Sequence, residues 1–533
     1  MHTLTIDGKE MRVERGTTIL EAAKKIGIEI PHYCYHPGLS IAGNCRMCLV
    51  EIEGVPKLQI SCYTLVSDGI KVHTRSERVI KARQAILEFL LINHPLDCPV
   101  CDQAGECYLQ IYYMRHGLYN STFLEDKVKK RKAVVIGPTV ILDSERCVLC
   151  GRCVRFCDEV SKSSELGIFN RGDHSEISTF PKKELNNKYS GNVVDICPVG
   201  ALTDRDFRFK CRVWYLKEKP SICPGCSNGC NIWIHYNVDR TCKAEGKRVM
   251  RIKPRFNEEV NKWWICDEGR YGYKFVDDNR IEKPYIRQQG KLIPVSWDMA
   301  IERIAGLLKK YPPESIGIVP SPQCTNEDNF VLKKVFSEHL GIKNIDYRVP
   351  SQLNVYSDDF LIREDKNPNS RGCEELGLFP KDKGLELKDM LREAKNKEIK
   401  ILYLMNHDLV KKMGREEVAF ALSSVDSLIF QGTNFNETVE FADFLLPSST
   451  FAEKDGTFIN QSGRVQKINK ALEPLGDSLS EWKIFVKIAR ELGIPVEYGG
   501  PEEIFFDITK EISSFVGLSY SLIGDEGINL YLG

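Results

Sequence analysis

Fifteen cysteines and one histidine in the first half of the chain fall into four groups with the spacing of metal ligands. The first is Cys34, Cys45, Cys48 and Cys62; the second is His94, Cys98, Cys101 and Cys107. The third is Cys147, Cys150 and Cys153 with a distant Cys197, and the fourth is Cys223, Cys226 and Cys230 with a distant Cys266. Thiolates are soft ligands, and successive thiolate groups in one chain are the ligand pattern of iron-sulfur clusters, which carry single electrons. The expectation is a protein that moves electrons.

The first group, C-x10-C-x2-C-x13-C, offers two thiolates close in sequence and two from flanking loops. That suits a [2Fe-2S] cluster, in which each iron takes two sulfurs. Its opening spacing exceeds the plant-type C-x4-C, so the loop after Cys34 must be enlarged, and Gly38 and Gly43 suit such a loop. The second group, H-x3-C-x2-C-x5-C, offers one imidazole and three thiolates to a [4Fe-4S] cluster, with Gly105 available for a positive φ. Neutral imidazole in place of a thiolate makes such a cluster less negative and raises its potential. In the third group, Cys147, Cys150, Cys153 and Cys157 form the bacterial ferredoxin run, and Cys197-Pro198 is the end of a partner run. In two-cluster ferredoxins each run lends its last cysteine to the other cluster. Counting back from Cys197 puts the partner run's remaining ligands at Asn187, Ser190 and Val193, none of them a thiol. One cluster is therefore lost, Cys147, Cys150, Cys153 and Cys197 hold the other as [4Fe-4S], and Cys157 becomes a packing residue. The fourth group, C-x2-C-x3-C-x35-C, suits a further [4Fe-4S] cluster. Structural zinc competes with iron, most seriously at this last group.

Composition narrows the classes. A chain of 533 residues with 42% apolar content can bury several cores. Lys plus Arg equals Asp plus Glu at 74 each, so the basic excess that nucleic acid or acidic lipid requires is missing. Apolar stretches such as Ala85 to Ile92 are short and broken, here by Glu88, and none has the length of a bilayer span. Met1 to Asp7 has neither the basic nor the apolar region of a signal peptide, so a cytoplasmic location is expected. There, 20 cysteines read as ligands rather than disulfides, and 18 of them precede residue 270.

The elements that must position these groups are partly visible. Leu4, Ile6, Met11 and Val13 alternate around Asp7-Gly8 as a hairpin, and Thr18 to Ile26 reads as a helix. Thr74 with Glu77 has the form of a capping box for a helix carrying Val79, Ile80, Ile86, Leu87, Leu90 and Leu91, which Asn93-His94-Pro95 ends. The basic run Lys127 to Lys132 reads as a solvated linker. Beyond Cys266, Ser296 is expected to cap a helix through Ala300, Ile301, Ile304, Leu307 and Leu308. A strand is expected at Ile316 to Val319, a helix from about Asn326 to Leu340, and strands at Ile399 to Met405 and Ser427 to Gln431 with a helix between. This alternation predicts a doubly wound α/β domain.

The order of motifs, with a one-histidine, three-cysteine group after a ferredoxin-like region, resembles the large iron-sulfur subunit of NADH:quinone oxidoreductase (respiratory complex I). Cys266 to Gly272, Pro294 to Asp298 and Thr325 to Asn329 resemble the molybdopterin oxidoreductase fold, to which that subunit's C-terminal region belongs. Asn369 to Gly377 and Phe451 to Thr457 resemble the complex I members of it. The resemblance implies an α+β and α/β multidomain protein. Its parts would be a β-grasp [2Fe-2S] domain over 1–78, a one-His, three-Cys [4Fe-4S] domain over 79–118 and a ferredoxin-type [4Fe-4S] domain over 119–215. A [4Fe-4S] domain over 216–272 and a reduced molybdopterin-oxidoreductase-like α/β domain over 273–533 would follow. It further implies that electrons come from a flavin-containing NADH-oxidising subunit, enter at the [2Fe-2S] cluster, pass to the Cys147 cluster and then the His94 cluster, and leave for the subunits nearer quinone. The Cys223 cluster would be an off-path relic. Partners would be the other peripheral-arm subunits, and the site of work the cytoplasmic face of the inner membrane.

Two departures bear on the C-terminal region. Glu268 stands where active molybdopterin enzymes have the lysine of C-x-K-G, and too few residues follow Cys266 for a full pterin-binding body. No molybdopterin is therefore expected, residues 350–398 read as the join left by a deletion, and Cys324 and Cys373 read as ordinary thiols. The competing assignment is a subunit of a formate dehydrogenase or an NAD-linked hydrogenase complex; molybdenum or tungsten would mark the former, and the missing further cysteine motifs and the α/β half after residue 215 weigh against the latter.

Overall fold

The computed structural model describes residues 1–240, 244–350 and 355–531, and the chain divides into two compact units, 1–216 and 217–533. Cys242 and part of the expected join after residue 350 lie outside the described residues.

The first unit opens with β1 (His2–Ile6) and β2 (Lys9–Val13), joined by Asp7 and Gly8 at φ +46° and +82°. Positive φ at both turn residues gives the right twist for a two-residue hairpin, and the register Ile6 with Lys9 follows. Helix α1 (Ile19–Lys25) begins at a capping box in which Thr18 and Glu21 satisfy each other's backbone N–H. Strands β3 (Leu49–Ile52), β4 (Gln59–Ile60) and β5 (Ile70–His73) complete a mixed sheet of order β2-β1-β5-β3-β4, with β5 parallel to β1. Leu4, Ile6, Val50 and Val72 from the sheet and Ile19, Leu20 and Ala23 from α1 form its core, the β-grasp arrangement.

Helix α2 (Glu77–Leu91) starts at Ser76, whose hydroxyl accepts the Val79 N–H. This corrects the expected Thr74 capping box. Thr74 instead turns its N–H and hydroxyl onto Asp7, because Asp7 sits in the hairpin turn with its carboxylate facing the end of β5. Helix α3 (Tyr108–His116) follows directly on Cys107. Strands β6 (Val134–Val135) and β7 (Val140–Leu142), helix α4 (Arg152–Glu159), the hairpin β8 (Leu166–Phe169) with β9 (Glu176–Thr179), α5 (Asn192–Ile196) and β10 (Leu202–Asp204) complete the unit.

The basic run Lys127 to Lys132 is not a free linker. Lys127 Nζ donates to the carbonyls of Leu91 and Ile92 at the C-terminus of α2, where a cation suits the orphan carbonyls. Val128 N–H donates to Asn93 Oδ1, Lys130 reaches the Ser175 carbonyl and Lys132 pairs with Glu145 at 2.7 Å. The run thus clasps the loop that bears His94.

The second unit begins with an antiparallel sheet of β11 (Lys217–Ile222), β12 (Asn231–Tyr236) and β13 (Val249–Pro254), followed by α6 (Asp267–Tyr271). The hairpin β14 (Tyr285–Gln288) and β15 (Lys291–Pro294) leads into α7 (Trp297–Lys310), capped by Ser296 as expected. Then come β16 (Ile316–Val319), α8 (Asn326–Leu332), β17 (Asn344–Ile345), α9 (Ser370–Glu375), α10 (Leu387–Lys395), β18 (Ile401–Met405), α11 (Leu409–Met413), α12 (Arg415–Ser424), β19 (Ser427–Gly432) and β20 (Phe444–Pro447). The expected helix to Leu340 is α in its first half only and continues as a π-helical segment, Lys333–His339. Hairpin β21 (Gly456–Ile459) and β22 (Arg464–Ile468), α13 (Glu481–Leu492) and α14 (Pro501–Glu511) close the unit.

The main sheet has order β15-β14-β20-β19-β18-β16-β17, with its five central and terminal strands β16 to β20 parallel. Side chains alternate faces along β18: Ile401, Tyr403 and Met405 pack with α7, α8 and α13, while Leu402 and Leu404 pack with α10 and α12. Burial on both faces is the mark of a doubly wound sheet.

Candidate metal centres

In the first group the four thiols converge. Cys34 and Cys45 share a hydrogen bond, Cys48 and Cys62 share another, and Cys62 feels the charge of the other three. Tyr33 N–H points at Cys45 Sγ, 3.5 Å away. In the loop after Cys34 Gly43 takes positive φ, Gly38 does not, and Arg46 at φ +58° supplies a second left-handed residue.

In the second group His94 sits beyond the end of α2, Cys98 opens a 3-10 turn ending at Cys101, and Cys107 precedes α3. His94, Cys98 and Cys107 line one cavity of about 610 Å³, and Cys107 lies in the field of Cys101 and Cys98. Burial lowers the His94 pKa to about 4, so the imidazole is neutral near pH 7 with a lone pair for a metal. Gly105 adopts φ +92°. Arg146 is anchored to Asp97 at 2.7 Å, while its buried Nη1 has no acceptor in the protein. The charge of Arg146 bears on Cys101.

Cys147, Cys150, Cys153 and Cys197 line a single cavity with Leu142, Ile177 and Val199. Burial raises the Cys147 thiol to about 12 and Cys150 to about 11, and each lies in the field of its neighbours. Four such thiols are costly to hold together unless a cation neutralises them, and a bound iron deprotonates its ligands outright. Cys157 is absent from that cavity: it is fully buried further along α4, beside Ser163. Asn187 Nδ2 hydrogen-bonds to Ser163 Oγ at 3.3 Å, and Ser190 Oγ pairs with Thr139 Oγ1 at 2.7 Å. Small polar contacts therefore fill the place where a second set of ligands would lie.

In the fourth group Cys223, Cys226 and Cys230 occupy the turn between β11 and β12, and Cys266 is the N-cap of α6. The sulfurs collect N–H donors: Gly225 N to Cys223 at 3.4 Å, Gly269 N to Cys266 at 3.3 Å, and Asn228 Nδ2 to Cys230 at 3.2 Å. A Cβ on residue 269 would lie 2.9 Å from Cys223 Sγ, so only glycine leaves this pocket open. N–H donors around converging sulfurs favour the thiolate form that iron binds. Glu268 forms an ion pair of 2.8 Å with Lys366, so an ammonium reaches this region from another part of the chain.

Two further features escaped the sequence. Three of the groups meet in one core: Cys34, Cys107 and Cys150 are buried together with Tyr33, Leu87, Leu109, Tyr112, Val199 and Ala201, and Cys45, Cys147 and Cys197 pack against them. Tyr108 N–H donates to the Pro198 carbonyl at 2.9 Å, tying the second group's helix to the residue after the third group's last cysteine. Nothing in linear spacing could reveal that convergence. Separately, ligand atoms of Cys324, Asp328 and Glu481 lie within 4.8 Å of one another. Lys454 fills the cation's place there, pairing with both carboxylates. Cys324 is thus a buried thiol beside an ion cluster, and Cys373 packs in the apolar core.

Family models match along the chain. A 2Fe-2S iron-sulfur cluster binding domain covers residues 1–77, and the NADH-ubiquinone oxidoreductase-G iron-sulfur binding region covers 83–122. The ferredoxin-like domain of NADH-quinone oxidoreductase subunit 3 covers 137–203, the NDSU1/NuoG-like 4Fe-4S domain 228–274, and molybdopterin oxidoreductase 280–354 and 364–491. The G subunit of NADH-quinone oxidoreductase from Rickettsia conorii is 31% identical over 624 aligned residues, spanning 97% of this chain and 92% of that protein. The chain belongs to the family of NADH-quinone oxidoreductase G subunits. The mitochondrial 78 kDa subunit of NADH-ubiquinone oxidoreductase from Neurospora crassa is 31% identical, over 96% of this chain and 84% of that one. A chain of the crystal structure of an NAD+-reducing [NiFe]-hydrogenase in the H2-reduced state is 33% identical over 39% of this chain and 90% of its own, with a TM-score of 0.36. The alignment with the Rickettsia protein runs over 624 positions, more than the 533 residues of this sequence, so that protein carries segments with no counterpart in it.

Proposed function

We propose that the chain is the electron-transfer subunit of an NADH:quinone oxidoreductase, taking electrons from a flavin-containing NADH-oxidising subunit and passing them towards quinone. Iron-sulfur clusters bound at the four groups, one [2Fe-2S] and three [4Fe-4S], would supply the one-electron chemistry. The polypeptide itself supplies ligands, spacing and insulation. Cys34, Cys45, Cys48 and Cys62 hold the first group; His94, Cys98, Cys101 and Cys107 the second; Cys147, Cys150, Cys153 and Cys197 the third; and Cys223, Cys226, Cys230 and Cys266 the fourth.

The observation that carries this reading is the shared core of the first three groups. Side chains packed at native density shield the cysteines within that core and fix their separation, which a relay requires and a set of independent structural zinc sites does not, while Cys98 lies at the surface. Beside the second group the surface is apolar. Phe89, Leu96 and Tyr119, exposed by 73%, 80% and 81%, line the cavity that holds His94, Cys98 and Cys107. An apolar rim beside a redox ligand suits a partner subunit that receives the electron. No helix among the described residues is long and apolar enough to cross a membrane, so attachment to the inner membrane's cytoplasmic face would come through partners. Glu268, where the resemblance places the lysine of active molybdopterin enzymes, pairs with Lys366, and the proposal includes no pterin.

Reductive titration of the anaerobically purified chain, followed by electron paramagnetic resonance, tests the proposal. Signals of one [2Fe-2S] and of [4Fe-4S] clusters are expected, with molybdenum and tungsten far below one per chain. A spectroscopically silent chain holding zinc would overturn it, and stoichiometric molybdenum or tungsten would move it to the formate dehydrogenase class.

A further inference from the structure

Tyr33 is one of the largest fully buried side chains of the molecule, at 0% exposure, and its hydroxyl has no hydrogen-bond partner. Both facts need a reason. A buried phenol normally finds an acceptor, and where none exists phenylalanine fills the same space without stranding an O–H. The neighbouring tyrosine follows the rule: Tyr35 donates to Glu21 Oε1 at 3.1 Å. Tyr33 differs in its surroundings. Its ring lies edge-on to Tyr112, with centroids 5.4 Å apart, and Tyr112 stacks on Tyr108, the residue after Cys107, at 5.7 Å. Its backbone belongs to the first group, next to Cys34 and with its N–H on Cys45 Sγ. Its side chain reaches away from that backbone into the core shared with Cys107, and the thiol that weighs most on it electrostatically is Cys107, ahead of Cys45.

We propose that the Tyr33 hydroxyl donates a hydrogen bond to a sulfur of the iron-sulfur group held by His94, Cys98, Cys101 and Cys107. This rests on the assignment of that group under the proposed function and adds a residue that sequence spacing gives no reason to include. Hydrogen bonds to cluster or ligand sulfur stabilise the more negative, reduced state and so raise the potential. Tyr33 is a positioning and tuning residue here: it holds no metal, and its contribution adds to that of the neutral imidazole. Lodged between two groups, it makes the second the better electron acceptor of the pair.

The test is Tyr33→Phe in the full chain, purified anaerobically, with Tyr35→Phe as control. Each cluster's midpoint is read by redox titration, and hydrogen-bonded protons are read by pulsed resonance after exchange into D2O. In Tyr33→Phe the second group's cluster should be harder to reduce, by about tenfold in its reduced-to-oxidised ratio at fixed potential, or about 59 mV for one electron. One exchangeable deuteron coupled to that cluster should vanish, while the [2Fe-2S] midpoint stays in place. Tyr35→Phe should move neither. A shift confined to the [2Fe-2S] cluster, or an unmoved second-group midpoint with the deuteron retained, would overturn the proposal. If the wild-type chain shows no second-group cluster at all, the assignment of that group fails instead.

Discussion

Gly200 offers the sharpest way to disturb one centre and spare its neighbours. A Cβ at this position would lie 2.4 Å from Cys101 Sγ and 3.1 Å from Gln103 Cβ. Since non-bonded heavy atoms settle at roughly 3.5 Å or more, Gly200→Ala must push one side back by about 1 Å. The Gly200 side is the less free to move. Cys197 lines the third cavity, the Pro198 carbonyl accepts the Tyr108 N–H, and the Ala201 carbonyl accepts the Asp143 N–H at 2.7 Å. Cys101 must therefore yield, against the Arg212 guanidinium that holds its carbonyl. Overpacking of this kind costs about 1–3 kcal/mol, which is roughly 5- to 150-fold in occupancy when iron is limiting. Spin quantification of the reduced variant should show the second group's signal diminished by that order, with the [2Fe-2S] signal intact and the third group's cluster retained. An unaltered second-group signal would refute the placement of Cys101 against the 197–200 segment, and with it the link between the two groups.

Other consequences are independent of that contact. Cys157→Ala should leave every cluster signal intact, because Cys157 lies outside the third cavity; loss of a signal in anaerobic resonance spectra would restore it as a ligand. Lys454→Met should destabilise the second unit by about 3–5 kcal/mol in denaturant unfolding, since it leaves Asp328 and Glu481 buried without their cation; a loss under about 1 kcal/mol would contradict the ion cluster. Glu327 is fully buried and accepts from Thr457 N–H and the Tyr520 hydroxyl, and burial raises its pKa to about 7. The folded state then holds a proton the unfolded chain has released, so stability is greatest below the ordinary carboxylate pKa of about 4.5 and falls as pH rises through 7, by up to about 3 kcal/mol. Glu327→Gln should flatten that dependence in unfolding experiments at pH 5 to 8, because the Thr457 and Tyr520 hydroxyls can turn to accept from the amide; an unchanged slope would assign the dependence elsewhere.

Local physics was legible in the sequence wherever one short segment decides the outcome. The Asp7-Gly8 turn, the Ser296 cap and the strands Ile316–Val319 and Ile401–Met405 each follow from the preferences of a few adjacent residues. Ligand spacing is itself a local pattern, and Asn187 and Ser190, the residues found on counting back from Cys197, do lie in polar contacts. The misreadings are tertiary. Thr74 has the sequence of a cap, but Asp7, 67 residues away, competes for its hydroxyl and wins. Lys127 to Lys132 has the composition of a linker, but the carbonyls at the end of α2 and the carboxylates of Asp97 and Glu145 give it partners. The cation among Cys324, Asp328 and Glu481 is Lys454, and the core shared by three ligand groups joins segments up to about residue 200. No periodicity encodes such meetings. They depend on which surfaces the chain brings together.

On the proposed function, these thiols and one imidazole bind redox-active iron rather than zinc. Iron, acid-labile sulfide and zinc counted together on one oxygen-free preparation of the full chain test it most directly. About 14 iron atoms and as many sulfides per chain, with little zinc, are predicted; about ten would mean one [4Fe-4S] site unfilled. A colourless protein with several zinc ions and almost no sulfide would mean that the four groups hold zinc instead.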